Sequence, residues 1–135
     1  MKANILSGGI HVDQRGQLLF NNNFDATQVK RLYILENLRE IRAWQAHRVE
    51  QRWFSCIEGS FLIRLIEVDN WDHPSRNLPA LNFTLYSGVL DVLHIPSGYA
   101  SSIEALDEKS KLLVLADYKL GDNQDEIRFA SDYFE

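Results

Sequence analysis

The sequence predicts an all-β fold of the sandwich or barrel type. Short apolar or alternating runs recur along its 135 residues. Turn residues separate them, and the i, i+3, i+4 spacing of an amphipathic helix is hard to find in any of them. In chain order the runs are NILS from Asn4, QLLFNN from Gln17, VKRLYILEN from Val29, RWFSCIEGSFLIRLIEV from Arg52, LNFTLYS from Leu81, DVLHIPSGYASSIEAL from Asp91 and KLLVLADYKL from Lys111. The segments DQRG at Asp13 to Gly16, IEGS around Gly59 and LDEKS at Leu106 to Ser110 are expected to be hairpin turns. Pro74 and Pro79 bracket NWDHPSRNLPA, which reads as a loop because apolar strands resume on both sides. The tail GDNQDEIRFASDYFE has room for one helical turn or a short extended arm. No repeat, low-complexity tract or composition break divides the chain, so residues 1–135 are expected to form a single domain.

Composition bounds the function. With 45% hydrophobic and 24% charged residues the chain has the make-up of an ordinary globular protein. Its net charge of -5 argues against a nucleic-acid partner, whose phosphates call for a clustered basic surface. An anionic small molecule remains compatible, since a few converging arginines bind it whatever the overall sign. The lone Cys56 allows no internal disulfide and no cysteine cluster for zinc, and within WFSCI it reads as a small buried residue. No segment approaches the apolar length of a membrane span and the N-terminus lacks an apolar signal core, so no membrane partner and a cytoplasmic location are expected.

Strand parity places the interesting side chains. Arg31, Tyr33 and Leu35 share one face of their strand; Ala43, Gln45 and His47 share one face of the next, opposed by Trp44 and Ala46. A face carrying Arg, Tyr, Gln and His suits a wet, ligand-holding cavity better than a closed core, because each unpartnered buried polar group costs about 1–3 kcal/mol. The alternative is a polar outer face.

A metal site of the cupin type fails on its ligands. That pattern asks for HxH, a downstream Glu and a later His, whereas here Gln45 takes the first His position, Gln51 the acid position and Ser101 the later His position. Glu50 is expected on the opposite face, one residue out of register. One imidazole and two carboxamides make a poor set for a divalent transition metal, so no metal is expected.

The run FDATQVKRLYILENLREIRAWQAHRVEQRWFSCIEGS resembles the sugar 3,4-ketoisomerases and their WxcM-like relatives, whose pattern is close to VKRxYYI, RGxHAHK and a strand ending in C, two residues and G. The later VLHIPSGYASSIEALDEKSKLLVLADY resembles the IPxGFAHGF and DYY segments of dTDP-4-dehydrorhamnose 3,5-epimerases. Together the likeness covers roughly residues 10 to 135. It implies a double-stranded β-helix, the cupin-like jelly roll, usually dimeric. It also implies a nucleotide-sugar substrate with a 4-keto-6-deoxyhexose, and enolisation without metal or other cofactor. Carried over by position, it implies that Tyr33 and His47 line the sugar pocket, that Arg31 and Arg42 face the substrate or its diphosphate, that Arg15 lies near the nucleotide and that Tyr118 matches the first Tyr of DYY. Gln45, Ser101 and Ala43 depart from the family's His, His and Gly.

These residues support one chemistry and leave a rival. A hydrogen beside a ketone is removable by a base when the enolate oxygen is stabilised, and His47 is suited to take and return that proton near neutrality. Tyr33 and Arg42 are the candidates to stabilise the oxygen. Gln45 can hold the sugar or orient His47 but cannot carry a proton. The leading expectation is an isomerase or epimerase of a dTDP-4-keto-6-deoxyhexose, serving surface-polysaccharide synthesis. The rival is a catalytically silent cupin that binds a nucleotide sugar and regulates or scaffolds a partner. Trp44 and Trp53 are candidates to stack on the base or to fill core or dimer interface; His94 is structural or on the pocket rim, and His11 and His73 are expected at the surface.

Overall fold

A computed structural model describes residues 1–122 and 124–134, and all regular structure among them is β. The first strands are β1 (Asn4–Leu6), β2 (Gly9–Asp13), β3 (Gly16–Phe20), β4 (Arg31–Glu36), β5 (Arg42–His47) and β6 (Arg52–Glu58). They are followed by β7 (Ser60–Glu67), β8 (Ala80–Tyr86), β9 (Val92–Ile95), β10 (Tyr99–Ala105), β11 (Lys111–Ala116) and β12 (Glu126–Arg128). One five-stranded sheet has the order β1-β9-β6-β11-β4, a second has β12-β5-β10-β7-β8, and β2 pairs only with β3. Every pairing is antiparallel. Among the described residues no helix is long and apolar enough to cross a membrane.

The two large sheets face each other across an apolar core. Alternation on β7 sends Phe61, Ile63 and Leu65 inward, where they meet Phe54 and Cys56 of β6 and Leu112 and Val114 of β11. Cys56 is fully enclosed, its thiol donating to the carbonyl of Gly59, and burial pushes its pKa up to about 11, so it stays a thiol and a packing residue.

Only one of the three expected hairpin turns is a hairpin. DQRG reverses β2 into β3, with Asp13 opposite Gly16. At Gly59 the chain leaves β6 of one sheet and enters β7 of the other, and Leu106 to Ser110 likewise carries it from β10 to β11. These are corners of the sandwich. Gly59 is required at its corner: its φ is 73°, and a Cβ there would lie 2.6 Å from the carbonyl oxygen of Lys109.

The segment between β7 and β8 is the loop expected from its prolines. The described residues of the tail combine both expectations: β12 adds to the edge of β5, residues 131–134 form a turn, and Phe129, Tyr133 and Phe134 cover Trp44, whose ring centroid is 5.3 Å from that of Phe134. Both faces of β5 are therefore covered. Trp44 and Ala46 point to the arm, while Gln45 and His47 point into the barrel.

Candidate active site at the barrel mouth

Two neighbouring spaces share lining residues of these strands. The inner one, about 20 Å³, lies between Tyr33, Gln45, His47, Arg52 and Ser101 above an apolar floor that includes Phe54 and Ile103. It has room for roughly one water molecule. The outer one, about 300 Å³, opens at the barrel mouth between Arg31, His47, Glu50, Arg52, Lys119 and Glu126. That volume reaches the lower end of the ~300–1,000 Å³ range of small-molecule sites. His47, Glu50 and Arg52 border both.

His47 ends β5, and its Nδ1 lies 3.3 Å from Oδ1 of Asp125. The other carboxylate oxygen of Asp125 accepts the backbone amides of Val49 and Glu50, at 2.6 and 2.8 Å. Asp125 is thus pinned by the bend that follows β5, and it leaves Nε2 of His47 for the cavity. Burial lowers the pKa of His47, and the positive charge of Arg52 adds to this; the hydrogen bond and charge of Asp125 oppose both. The imidazole is neutral at pH 7. Burial alone would raise the pKa of Asp125, but the two amides and His47 outweigh it and the carboxylate stays ionised.

Glu50 does not lie on the opposite face, because strand parity ends at His47. The chain bends at residues 48 and 49, and Glu50 emerges from the bend into the barrel, only 5% exposed. Its carboxylate is shared by Arg52 at 3.3 Å and Arg31 at 3.7 Å, while burial raises its pKa against the pull of Arg52. Gln51 faces outward and holds His94 at 2.7 Å and Asp117 at 3.2 Å, so His94 is structural, stacked on Trp53. Arg52 also turns inward, and it donates from Nη1 to the Tyr33 hydroxyl at 2.9 Å. The donor set is also richer than one imidazole and two carboxamides. Ligand-capable atoms of His47, Glu50 and Asp125 lie within 4.8 Å of one another, with Glu50 already compensated by two guanidinium groups and Asp125 committed to backbone amides.

Of the residues singled out in the sequence, Tyr33, Gln45, His47 and Ser101 meet at the inner space and Arg31 stands at the mouth, its guanidinium over the Tyr33 ring. Gln45 is opposite Ser101 across the β5–β10 pairing and donates to Glu126 at 3.2 Å. Three others lie elsewhere. Arg42 begins β5, roughly 16 Å from His47 at 3.3 Å per residue, and is exposed beside Arg128 and Phe129. Arg15 sits at the exposed tip of the β2–β3 hairpin, ion-paired to Asp13 at 2.7 Å. Tyr118 is half-buried just past β11 and borders neither space.

The sequence reading missed Glu50, Arg52, Lys119, Asp125 and Glu126. For Arg52 a signal existed: counting back by twos from buried Cys56 through Phe54 puts Arg52 on the inner face. Asp125 had none, being 78 residues from His47.

No family model matches the chain. No curated protein matches it. Among solved structures, a 3,4-ketoisomerase from Helicobacter canadensis superposes with a TM-score of 0.74 at 21% identity, covering 99% of this chain and 96% of that one. The barrel has the fold of a sugar 3,4-ketoisomerase. A variant of the 3,4-ketoisomerase from Thermoanaerobacterium thermosaccharolyticum in complex with TDP-4-keto-6-deoxyglucose gives 0.73 at 20% identity, over 98% and 91% of the two chains. The RmlC epimerase of Mycobacterium tuberculosis gives 0.71 at 17% identity, over 93% and 68%. The double-stranded β-helix implied by the resemblance is thus the architecture observed.

Proposed function

We propose that this chain is a nucleotide-sugar isomerase or epimerase that acts on a dTDP-4-keto-6-deoxyhexose by enolisation, most like a 3,4-ketoisomerase, with residues 1–135 forming one domain around one site. The observation that carries the reading is the His47–Asp125 pair at the edge of a sugar-sized space flanked by Arg31 and Lys119. Asp125 holds the proton of His47 on Nδ1, which leaves Nε2 free to take a proton from the carbon beside the ketone. Arg31 and Lys119 supply positive charge for the diphosphate. Because Tyr33 accepts from Arg52, its own hydroxyl proton is free to turn toward the substrate oxygen. One base suffices for a shift between carbons 3 and 4 on one face, and the reading does not call on a second imidazole at Gln45 or Ser101.

The test is proton NMR of thymidine-diphosphate 4-keto-6-deoxyglucose with the protein in deuterated water. Loss of the carbon 3 proton signal, or a 3-keto product, is the expected result. A second reading, a silent nucleotide-sugar binder, is favoured by Gln45 and Ser101 and by an inner space too small for a hexose; saturable binding with no exchange would establish it. Surface-polysaccharide synthesis in the cytoplasm fits either.

A homodimer belongs to the same proposal. β4 is a free sheet edge with Leu32 and Ile34 exposed, and the β2–β3 hairpin, in neither large sheet, exposes Ile10, Val12 and Leu18. A second copy covering these surfaces is expected to sediment as a dimer at micromolar concentration, and L32K/I34K to shift it toward monomer. A wild-type monomer would end the claim.

A further inference from the structure

We propose that Arg52 is a catalytic residue of this site: its fixed positive charge, delivered together with the Tyr33 hydroxyl, stabilises the enolate oxygen that forms when His47 removes the proton beside the ketone. The proposal rests on the enolisation reading and adds to it the group that receives the negative charge. Arg42, the arginine expected for that task, is at the wrong end of β5. Arg52 borders both the inner and the outer space with His47.

Three features distinguish Arg52 from an ordinary ion-pair partner. Its side chain is 9% exposed, yet its Nε–H is buried without a hydrogen-bond partner among the described residues. A buried donor left open is costly, and Arg52, like Arg31, carries that cost in a side chain that lines the cavity. Nη1 is spent on the Tyr33 oxygen, which fixes the ring hydroxyl as a second donor. Finally, Glu50 shares its carboxylate with Arg31, so this one negative charge is divided between two guanidinium groups.

The proton and electron accounting closes on these residues. The carbon 3 proton passes to Nε2 of His47 and its electron pair moves through the new carbon–carbon double bond to the carbonyl oxygen at carbon 4, beside Arg52. The hydroxyl proton on the carbon 3 oxygen then crosses to that oxygen, and His47 returns its proton to carbon 4. The 4-ketone becomes a 3-ketone, nothing is oxidised or reduced overall, and His47 ends neutral as it began.

The experiment uses the E50Q background, because R52Q alone would strand Glu50 against a single guanidinium. Relative to E50Q, the E50Q/R52Q variant is expected to lose about 10²–10³-fold in carbon 3 exchange of thymidine-diphosphate 4-keto-6-deoxyglucose, the scale of removing one oxyanion donor. R52K in the wild-type background is expected to recover part of the rate, since it keeps the charge and loses the fork. The ring-proton NMR titration of His47 gives a readout that needs no substrate: its midpoint is expected to move up when the neighbouring charge is removed. Exchange by the folded double variant within threefold of E50Q, or an unmoved His47 midpoint, overturns the role of Arg52 and leaves the isomerase reading intact. A wild-type protein that exchanges no proton removes both.

Discussion

Replacing His47 with asparagine is expected to cut carbon 3 exchange and turnover by about 10²–10⁴-fold, the range of a lost general base, while leaving the protein folded. Asparagine still offers a polar group to Asp125, so the bend after β5 keeps its anchor in the two amides of Val49 and Glu50. It cannot carry a proton between two carbons. The pH profile supplies the second half of the result. Burial first, then the charge of Arg52, holds the His47 pKa below its usual 6.5, against Asp125 and Glu126, which pull it up. Glu50 and Arg31 face the same cavity, and Glu50 is raised by its own burial. A base must be unprotonated to act, so the wild-type rate is expected to rise with pH through a midpoint below 6.5 and then level off. His47→Asn should remove that acid limb along with the activity. An acid limb that survives in the variant would assign it to Glu50 or Asp125 and displace His47 as the base.

How far this site was legible in the sequence depends on how local each signal is. Period-two alternation separated the two faces of β4 and β5, grouping Tyr33 with Arg31 on one strand and Gln45 with His47 on the next. It broke down wherever the chain stops being a strand. The chain bends at residues 48 and 49, so parity carried past His47 assigned Glu50 to the wrong face. Turn residues announce a reversal but not which sheet receives the chain next, and so the corners at Gly59 and at Leu106 to Ser110 looked like hairpins. Ser101 could be placed opposite Gln45 only once β10 was known to pair with β5. The C-terminal arm was the least legible part, because its polar stretch has no periodicity and its destination is set by Phe134 docking on Trp44. That arm nevertheless carries Asp125 and Glu126 into the site.

The Asp125→Asn variant isolates what the arm contributes, and its expected effect on activity rivals the loss of His47 itself. In the wild type one carboxylate oxygen takes both backbone amides and the other takes Nδ1–H of His47. Asparagine has a single acceptor oxygen, and two amide donors at 2.6 and 2.8 Å will hold it in place. Its NH₂ group then faces Nδ1 of His47, which must become an acceptor, and the ring proton moves to Nε2 on the cavity side. The imidazole is present and correctly placed, but as the wrong tautomer, a change that costs about 10⁴ in kcat in a serine-protease triad. Here the expected loss is about 10³–10⁴-fold, with the fold retained. Asp125→Ala should behave differently. It leaves the amides of Val49 and Glu50 without their acceptor; the exposed Val49 amide can turn to water, while the part-buried Glu50 amide cannot readily do so, and the variant is expected to lose about 1–3 kcal/mol of stability as well as activity. Stability that depends on an Asp125 pKa held below its usual value is present above the unfolded carboxylate pKa and lost as pH falls through the folded one, so the wild type and Asp125→Ala are expected to converge in denaturant midpoint toward acid. Denaturant melts at neutral and acidic pH, set beside exchange rates, separate the two roles. If Asp125→Asn exchanges carbon 3 protons as fast as wild type, Asp125 only ties the arm to the bend and the tautomer of His47 is set by another group.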